Sequence, residues 1–179
     1  MIPPTLFVFA GLPGSGKTTL SRGLARRLRA AHLRIDTVEQ GLRELCGIAV
    51  EGEGYGLAYR IAEDNLRLGV DVVADACNPI ELTRRAWAGV AARAGARVVF
   101  VEVVCSDASE HRRRVEGRRS DIPGLRLPTW AEVEAREVEP WATERLILDT
   151  AGRAPGACLE ALISGLAEGG SLSAPPPTR

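Results

Sequence analysis

Eight residues near the start of the chain, Gly11-Leu12-Pro13-Gly14-Ser15-Gly16-Lys17-Thr18, spell G-x-x-x-x-G-K-[ST], followed by Thr19. This is the phosphate-binding-loop pattern, or P-loop. Glycines let such a loop curl so that successive N–H groups aim at phosphate oxygens, and a helix N-terminus behind it adds partial positive charge. In that arrangement the backbone of Gly11 through Thr19 cradles a nucleotide triphosphate. Lys17 reaches the β- and γ-phosphates, and the Thr18 hydroxyl ligates magnesium. Of the 23 basic residues only Lys17 is a lysine, so a compact, flexible ammonium stands at the one place where the motif wants it.

Other residues could serve the same chemistry. Val72-Val73-Ala74-Asp75 is an apolar run ending in an acid, and Asp75 is a second candidate magnesium ligand. Asp36, after Leu33-Arg34-Ile35, should face the same crevice and accept the proton of a hydroxyl attacking the γ-phosphate. An N-cap role suits it equally. Asn78 reads simply as a helix N-cap. Residues 112–119 hold five arginines in eight positions. Arg114 and Arg118, one turn apart, would neutralise charge on the transferred phosphoryl group, with residues 107–128 forming a mobile lid. His32 and His111 have no partner at useful spacing and are given no role.

These residues need a scaffold. Apolar runs at Thr5–Ala10, Leu33–Asp36, Val70–Asp75, Arg97–Val104 and Leu146–Leu148 alternate with helical patterns, predicting an α/β fold with a five-stranded parallel sheet. Helices are predicted from Thr18, over Gly54–Leu68, from Asn78 to about Ala94, after Asp107, over Pro128–Val138 and over Pro155–Ala167. Glu102 interrupts the fourth run without an evident reason. Tyr55, Tyr59, Trp130 and Trp141 read as packing residues, while Arg126 stays open. Residues 1–168 form the expected domain, and the Gly/Ser/Pro-rich 169–179 a disordered tail.

At 179 residues with a formal net charge of zero, the chain offers one domain and no global field for nucleic acid or anionic membrane. Its four cysteines form no C-x-x-C pair and no zinc spacing, suiting reduced thiols. No apolar stretch or leader suggests a membrane or an exported protein, so a cytoplasmic monomer or homodimer is expected.

In this order and spacing the motifs resemble the small P-loop kinases of the nucleoside-monophosphate-kinase-like group. The nearest likeness is to the AAA-type ATPase/kinase family related to polynucleotide 5′-kinase, zeta toxin and chloramphenicol phosphotransferase. The resemblance implies a three-layer P-loop NTPase fold with sheet order 2-3-1-4-5 and helices on both faces. It also implies ATP with magnesium, an acceptor hydroxyl activated at Asp36, and a lid carrying Arg114 and Arg118. Polynucleotide kinases carry an arginine three residues after that aspartate, where this chain has Glu39. A small-molecule hydroxyl acceptor is therefore expected over nucleic acid. An ATP-binding regulatory or interaction module with weak ATPase activity, or a polynucleotide 5′-hydroxyl kinase, is the alternative. A GTPase is excluded, because its Asn-Lys-x-Asp motif needs a second lysine. Asp149-Thr150-Ala151-Gly152 reads as a turn near the adenine pocket.

Overall fold

The computed structural model describes residues 3–169. The chain alternates strands and helices: β1 (Thr5–Ala10), α1 (Lys17–Leu28), β2 (Ala31–Arg34), α2 (Ile35–Cys46), α3 (Glu53–Arg67), β3 (Val72–Asp75), α4 (Glu81–Ala94), β4 (Arg97–Val104), α5 (Ala108–Gly117), α6 (Trp130–Glu134), β5 (Leu146–Asp149) and α7 (Pro155–Ala167). The five strands form one sheet in the order β2-β3-β1-β4-β5, all pairs parallel. The predicted topology is thus the observed one.

β1 is central, pairing Val8 with Ala74 on one side and with Phe100 on the other. All six of its residues are buried, as a strand covered on both faces must be. Its side chains alternate between two cores. Leu6 and Val8 meet Ala58, Ala62 and Leu66 of α3 and Trp87 and Val90 of α4. Phe7 and Phe9 meet Leu20 and Leu24 of α1 and Cys158 and Leu162 of α7. Truncating an anchor such as Trp87 would cost about 3–5 kcal/mol. The two cores fix β1 and the turn after it between two helical layers.

Local readings differ from the structure at four places. β2 spans Ala31–Arg34, not Leu33–Asp36, because this half-buried edge strand needs only one partner and Ile35 already buries itself in α2. Asp36 therefore lies in the first helical turn, where a carboxylate suits the helix dipole, and not at a strand end. Asn78 is no N-cap: α4 begins at Glu81, and the Glu139 carboxylate accepts from Glu81 N at 2.6 Å. α6 stops after five residues, since the chain beyond it runs back to α4, with Glu139 N donating to Pro79 O at 2.9 Å. α5 ends at Gly117 and Arg118 is extended (φ −75°, ψ 151°), so Arg114 and Arg118 do not share a continuous helix face.

Smaller shifts are that α3 starts one residue early and β3 begins at Val72, two residues later than expected. Glu102 has its reason: Arg145, just before β5, pairs with it across the edge of the sheet. Residues 170–179, most of the expected tail, lie outside the described residues, as do Met1 and Ile2.

Candidate active site

The P-loop leaves β1 at the carboxyl edge of the sheet, where open parallel sheets present their ligand crevice. Gly11 has φ +140°, and a Cβ on it would lie 2.2 Å from Val103 O. A Cβ on Gly14 would lie 2.5 Å from the Val115 side chain. Neither position admits a side chain without moving backbone or a packed valine. Gly11 N donates to Cys77 O at 3.1 Å, tying the loop to the segment after β3. His111, without a role in the sequence reading, places Nε2 2.8 Å from Pro13 O and braces the loop from α5.

α1 opens at Gly16 with no side-chain cap and no acid in its first turn. Its orphan N–H groups and dipole are thus left facing outward, as an anion site requires. Lys17 is almost wholly buried at the head of this helix. A cavity of about 820 Å³ opens in front of it. Gly14, Gly16, Lys17, Thr18 and Thr19 line its floor, α5 and residues 118–121 one wall, and Thr150, Arg153 and Pro155 the other. Seven arginines and Lys17 face this space against only Glu110 and Asp121, so a polyanion is the complementary occupant.

Arg114 is held firmly. Its Nη1 donates to Thr150 Oγ1 at 2.8 Å and its Nη2 to Thr150 O at 2.9 Å and Glu110 Oε1 at 2.6 Å. Thr150 Oγ1 in turn lies 2.8 Å from Ser15 O, so Arg114 buttresses the P-loop through the residue that follows β5. The expected turn at 149–152 thereby becomes part of the cavity wall. Arg118 differs: it is half-buried, its Nε has no partner, and it faces Asp36, Cys77, Arg34 and Arg136. Burial lowers its pKa, with Asp36 opposing.

Asp36 stands about half exposed outside the cavity wall, with Arg34 Nη2 3.8 Å from its carboxylate. Glu39, on the next turn, has its pKa raised by burial and pairs with Arg43 at 3.1 Å. Leu12 and Ser15, though in the loop, line a second and smaller hollow behind it. The aromatics behave as packing residues. Tyr59 meets Trp87 edge-on at 4.5 Å, Trp130 meets His111 at 5.3 Å, and Trp141 packs on Phe100 at 5.9 Å. Arg126 is exposed and paired to Glu132 at 2.7 Å.

Asp75 ends β3 beside the loop, 2 % exposed, and neither carboxylate oxygen has a hydrogen-bond partner. A buried, unpaired carboxylate is costly, and a divalent cation with oxygen ligands would satisfy it. His32 Nε2 lies 3.9 Å away and 3.0 Å from Ser21 Oγ, which donates to Thr18 O at 3.1 Å. Burial lowers the His32 pKa, with Asp75 opposing. Among the described residues no group of three or more His, Cys, Asp or Glu could hold a metal alone. Thr18 and Asp75 thus fit magnesium brought in on nucleotide phosphates.

Two contributors were invisible in the sequence. Asp121 bridges Arg22 and Arg34, bonding Arg34 Nη1 at 2.7 Å, and so straps residues 118–128 to α1 and β2. Arg84 is fully buried and gives its N–H groups to the carbonyls of Asn78, Pro79, Glu139 and Pro140. Asn78, at φ +46°, bonds Phe9 O at 2.8 Å and accepts from Trp87 at 3.2 Å. No sequence signal marks these long-range partners.

The model of the AAA domain family matches residues 6–134. No curated protein sequence matches the chain. Among solved structures, a gluconokinase from Sinorhizobium meliloti is 17% identical, covering 95% of each chain, with a TM-score of 0.66. The Mycobacterium tuberculosis APS kinase CysC, in complex with AMPPNP and APS, is 19% identical over 93% of this chain and 99% of its own, TM-score 0.67. Chaetomium thermophilum Kti12 in complex with ADP-AlF3 is 21% identical over 93% and 99%, TM-score 0.69. The fold is that of the small P-loop kinases. No helix among the described residues is long and apolar enough to cross a membrane.

Proposed function

The chain belongs to the AAA domain family, and on that premise we propose that it is an ATP-dependent phosphotransferase acting on a hydroxyl of a small molecule. The observation that carries this reading is the 820 Å³ cavity lined by Lys17, Thr18, Arg114 and Arg118 at the mouth of an uncapped helix. Its size suits a nucleotide, and its cationic walls suit a triphosphate. The solved nucleotide complexes of CysC and Kti12, on the same fold, support nucleotide as the ligand.

In the mechanism this supports, the amides of Gly14 to Thr18 and the Lys17 ammonium hold the phosphates in line. Magnesium bound through Thr18, Asp75 and the phosphates would supply neutralising charge. Arg114 keeps the loop in its curled form through Thr150 and presents charge beside it. Arg118 lies between the cavity and Asp36, where it neutralises charge on the moving phosphoryl group. Asp36 takes the proton of the acceptor hydroxyl as its oxygen bonds phosphorus and the ADP oxygen departs. The half-buried Glu39 beside Asp36 disfavours a nucleic-acid backbone on this side and favours a hydroxyl-rich acceptor.

The experiment is transfer of label from γ-labelled ATP to a panel of sugars, nucleosides and hydroxylated antibiotics. Acceptor-dependent labelling, abolished in Lys17→Ala and reduced at least 100-fold in Asp36→Asn, is expected. Wild-type transfer by Asp36→Asn would overturn the base assignment, and no acceptor-dependent labelling at all would overturn the kinase.

A further inference from the structure

Magnesium-bound ATP does not balance the charge of the nucleotide cavity. Lys17 and seven arginines line it against Glu110 and Asp121, a surplus of six positive charges. Counting Asp36 and Asp75 with the wall still leaves a surplus of four. The magnesium complex of ATP brings a net charge of about −2, so roughly two positive charges stay unmatched with nucleotide in place. A neutral acceptor would leave them so.

Two of the cavity arginines already hold an oxyanion. Arg22 of α1 and Arg34 of β2 converge on the Asp121 carboxylate, Arg22 Nη2 on Oδ2 and Arg34 Nη1 at 2.7 Å from Oδ1. Each carboxylate oxygen thus meets a different guanidinium through a charge-assisted bond. The Arg34 side chain is only 11 % exposed and fixed in place, whereas that of Asp121 is half exposed and open to solvent. Residues 118–129 form neither helix nor strand. Among the described residues, Asp121 alone ties residues 118–128 by hydrogen bonds to anything beyond α6. Half-exposed ion pairs are weak, so a firm receptor here carries a loosely held occupant. Arg34 Nη2 also stands 3.8 Å from Asp36, which puts the fork beside the carboxylate assigned to the acceptor hydroxyl.

We propose that the Arg22–Arg34 fork is an oxyanion subsite for the acceptor, a hydroxyl compound bearing a carboxylate or a phosphate, and that Asp121 fills the fork until the acceptor displaces it. The acceptor's hydroxyl rests on the kinase reading, while the affinity of the fork for an anion stands without it. Displacement exchanges one oxyanion for another on the same two guanidiniums and frees residues 118–128. Asp121 is then a competitor of the acceptor. Removing it tightens anion binding, an effect that a strap serving only the fold does not produce.

The probes are two matched pairs, gluconate with sorbitol and ribose 5-phosphate with ribose. Each is titrated calorimetrically into the full chain saturated with magnesium and ADP, which keeps phosphate off the P-loop. Saturable binding of gluconate or ribose 5-phosphate is expected, at least tenfold tighter than that of its neutral partner, and the tighter of the two names the oxyanion. Amide exchange of residues 118–128 should quicken as the anion binds. Asp121→Ala should tighten the anion at least threefold, and Arg34→Gln weaken it at least tenfold. Arg22→Gln, at a partly exposed position, gives the same test should Arg34→Gln fail to fold. The subsite is overturned by equal binding of charged and neutral partners, by no saturable binding of either anion, or by anion affinity that survives both arginine changes. Anion affinity unchanged or weakened in Asp121→Ala, or unchanged exchange at residues 118–128, overturns the displacement. The kinase reading fails separately. Anion binding with no label transferred from γ-labelled ATP removes that reading and keeps the subsite, whereas equal labelling of charged and neutral partners keeps the kinase and removes the subsite.

Discussion

Arg34 Nη1 donates to the Asp121 carboxylate at 2.7 Å while its Nη2 lies 3.8 Å from Asp36. One guanidinium at the start of α2 therefore touches both the strap over the nucleotide cavity and the carboxylate assigned to the acceptor. Arg22 holds the other side of Asp121. These two arginines keep the Asp121 carboxyl far below the usual carboxylate range.

Asp121→Asn should release residues 118–128. Amide exchange there is expected to quicken at least tenfold at neutral pH with global stability nearly unchanged, since Asp121 and its partner Arg22 are about half exposed. The pH dependence follows from the sign of the shift. A carboxyl whose folded pKa is depressed contributes above its ordinary value near 3.8 and loses that contribution only as pH falls through the lower folded value. Protection of the strap in the wild type should thus persist below pH 4, as exchange measured across that range would show.

Asp75 predicts a conflict between stability and binding. Its two oxygens are buried without partners, so Asp75→Asn removes an uncompensated charge from the core. The melting temperature of the nucleotide-free protein should stay level or rise by a few degrees, while magnesium-dependent ATP affinity falls at least tenfold. A destabilised Asp75→Asn with unchanged ATP affinity would show that this carboxylate serves the fold and not the metal.

Arg114 and Arg118 should separate kinetically. Arg114→Ala loosens Thr150 from the P-loop and is expected to raise the KM for ATP as well as lower kcat. Arg118 has no partner at Nε and faces Asp36, so Arg118→Ala should lower kcat by about 10²–10³ with the KM for ATP nearly unchanged. Steady-state kinetics on both variants checks this.

Arg84 is a structural commitment with no counterpart in the motifs. Arg84→Leu would strand four carbonyls and should cost about 3–5 kcal/mol, lowering the melting temperature by roughly 10 °C. Thermal unfolding of the variant measures it, and a loss under about 1 kcal/mol would mean that water replaces the guanidinium.

What could be read ahead of the structure was whatever short-range pattern encodes. The P-loop, the β1 and β4 strands and α7 follow from local hydrophobic period, glycine placement and motif spacing, and the sheet order from the family resemblance those motifs carry. Where long-range contacts decided, local signals misled. Asn78 has the composition of a cap, yet Glu139, 58 residues from Glu81, supplies that bond and frees Asn78 to pin Phe9. Thr129 and Glu132 complete a capping box, but α6 still ends after five residues because Glu139 is drawn to Pro79. The Asp121 strap spans 87 residues to Arg34, and no local pattern announces it.

The most direct test of the account is calorimetric titration of ATP into wild type and Lys17→Ala, each with and without magnesium. The account predicts saturable wild-type binding that magnesium tightens and that Lys17→Ala weakens at least 100-fold. No magnesium-dependent ATP affinity in the folded wild type, or equal affinity in Lys17→Ala, would contradict it.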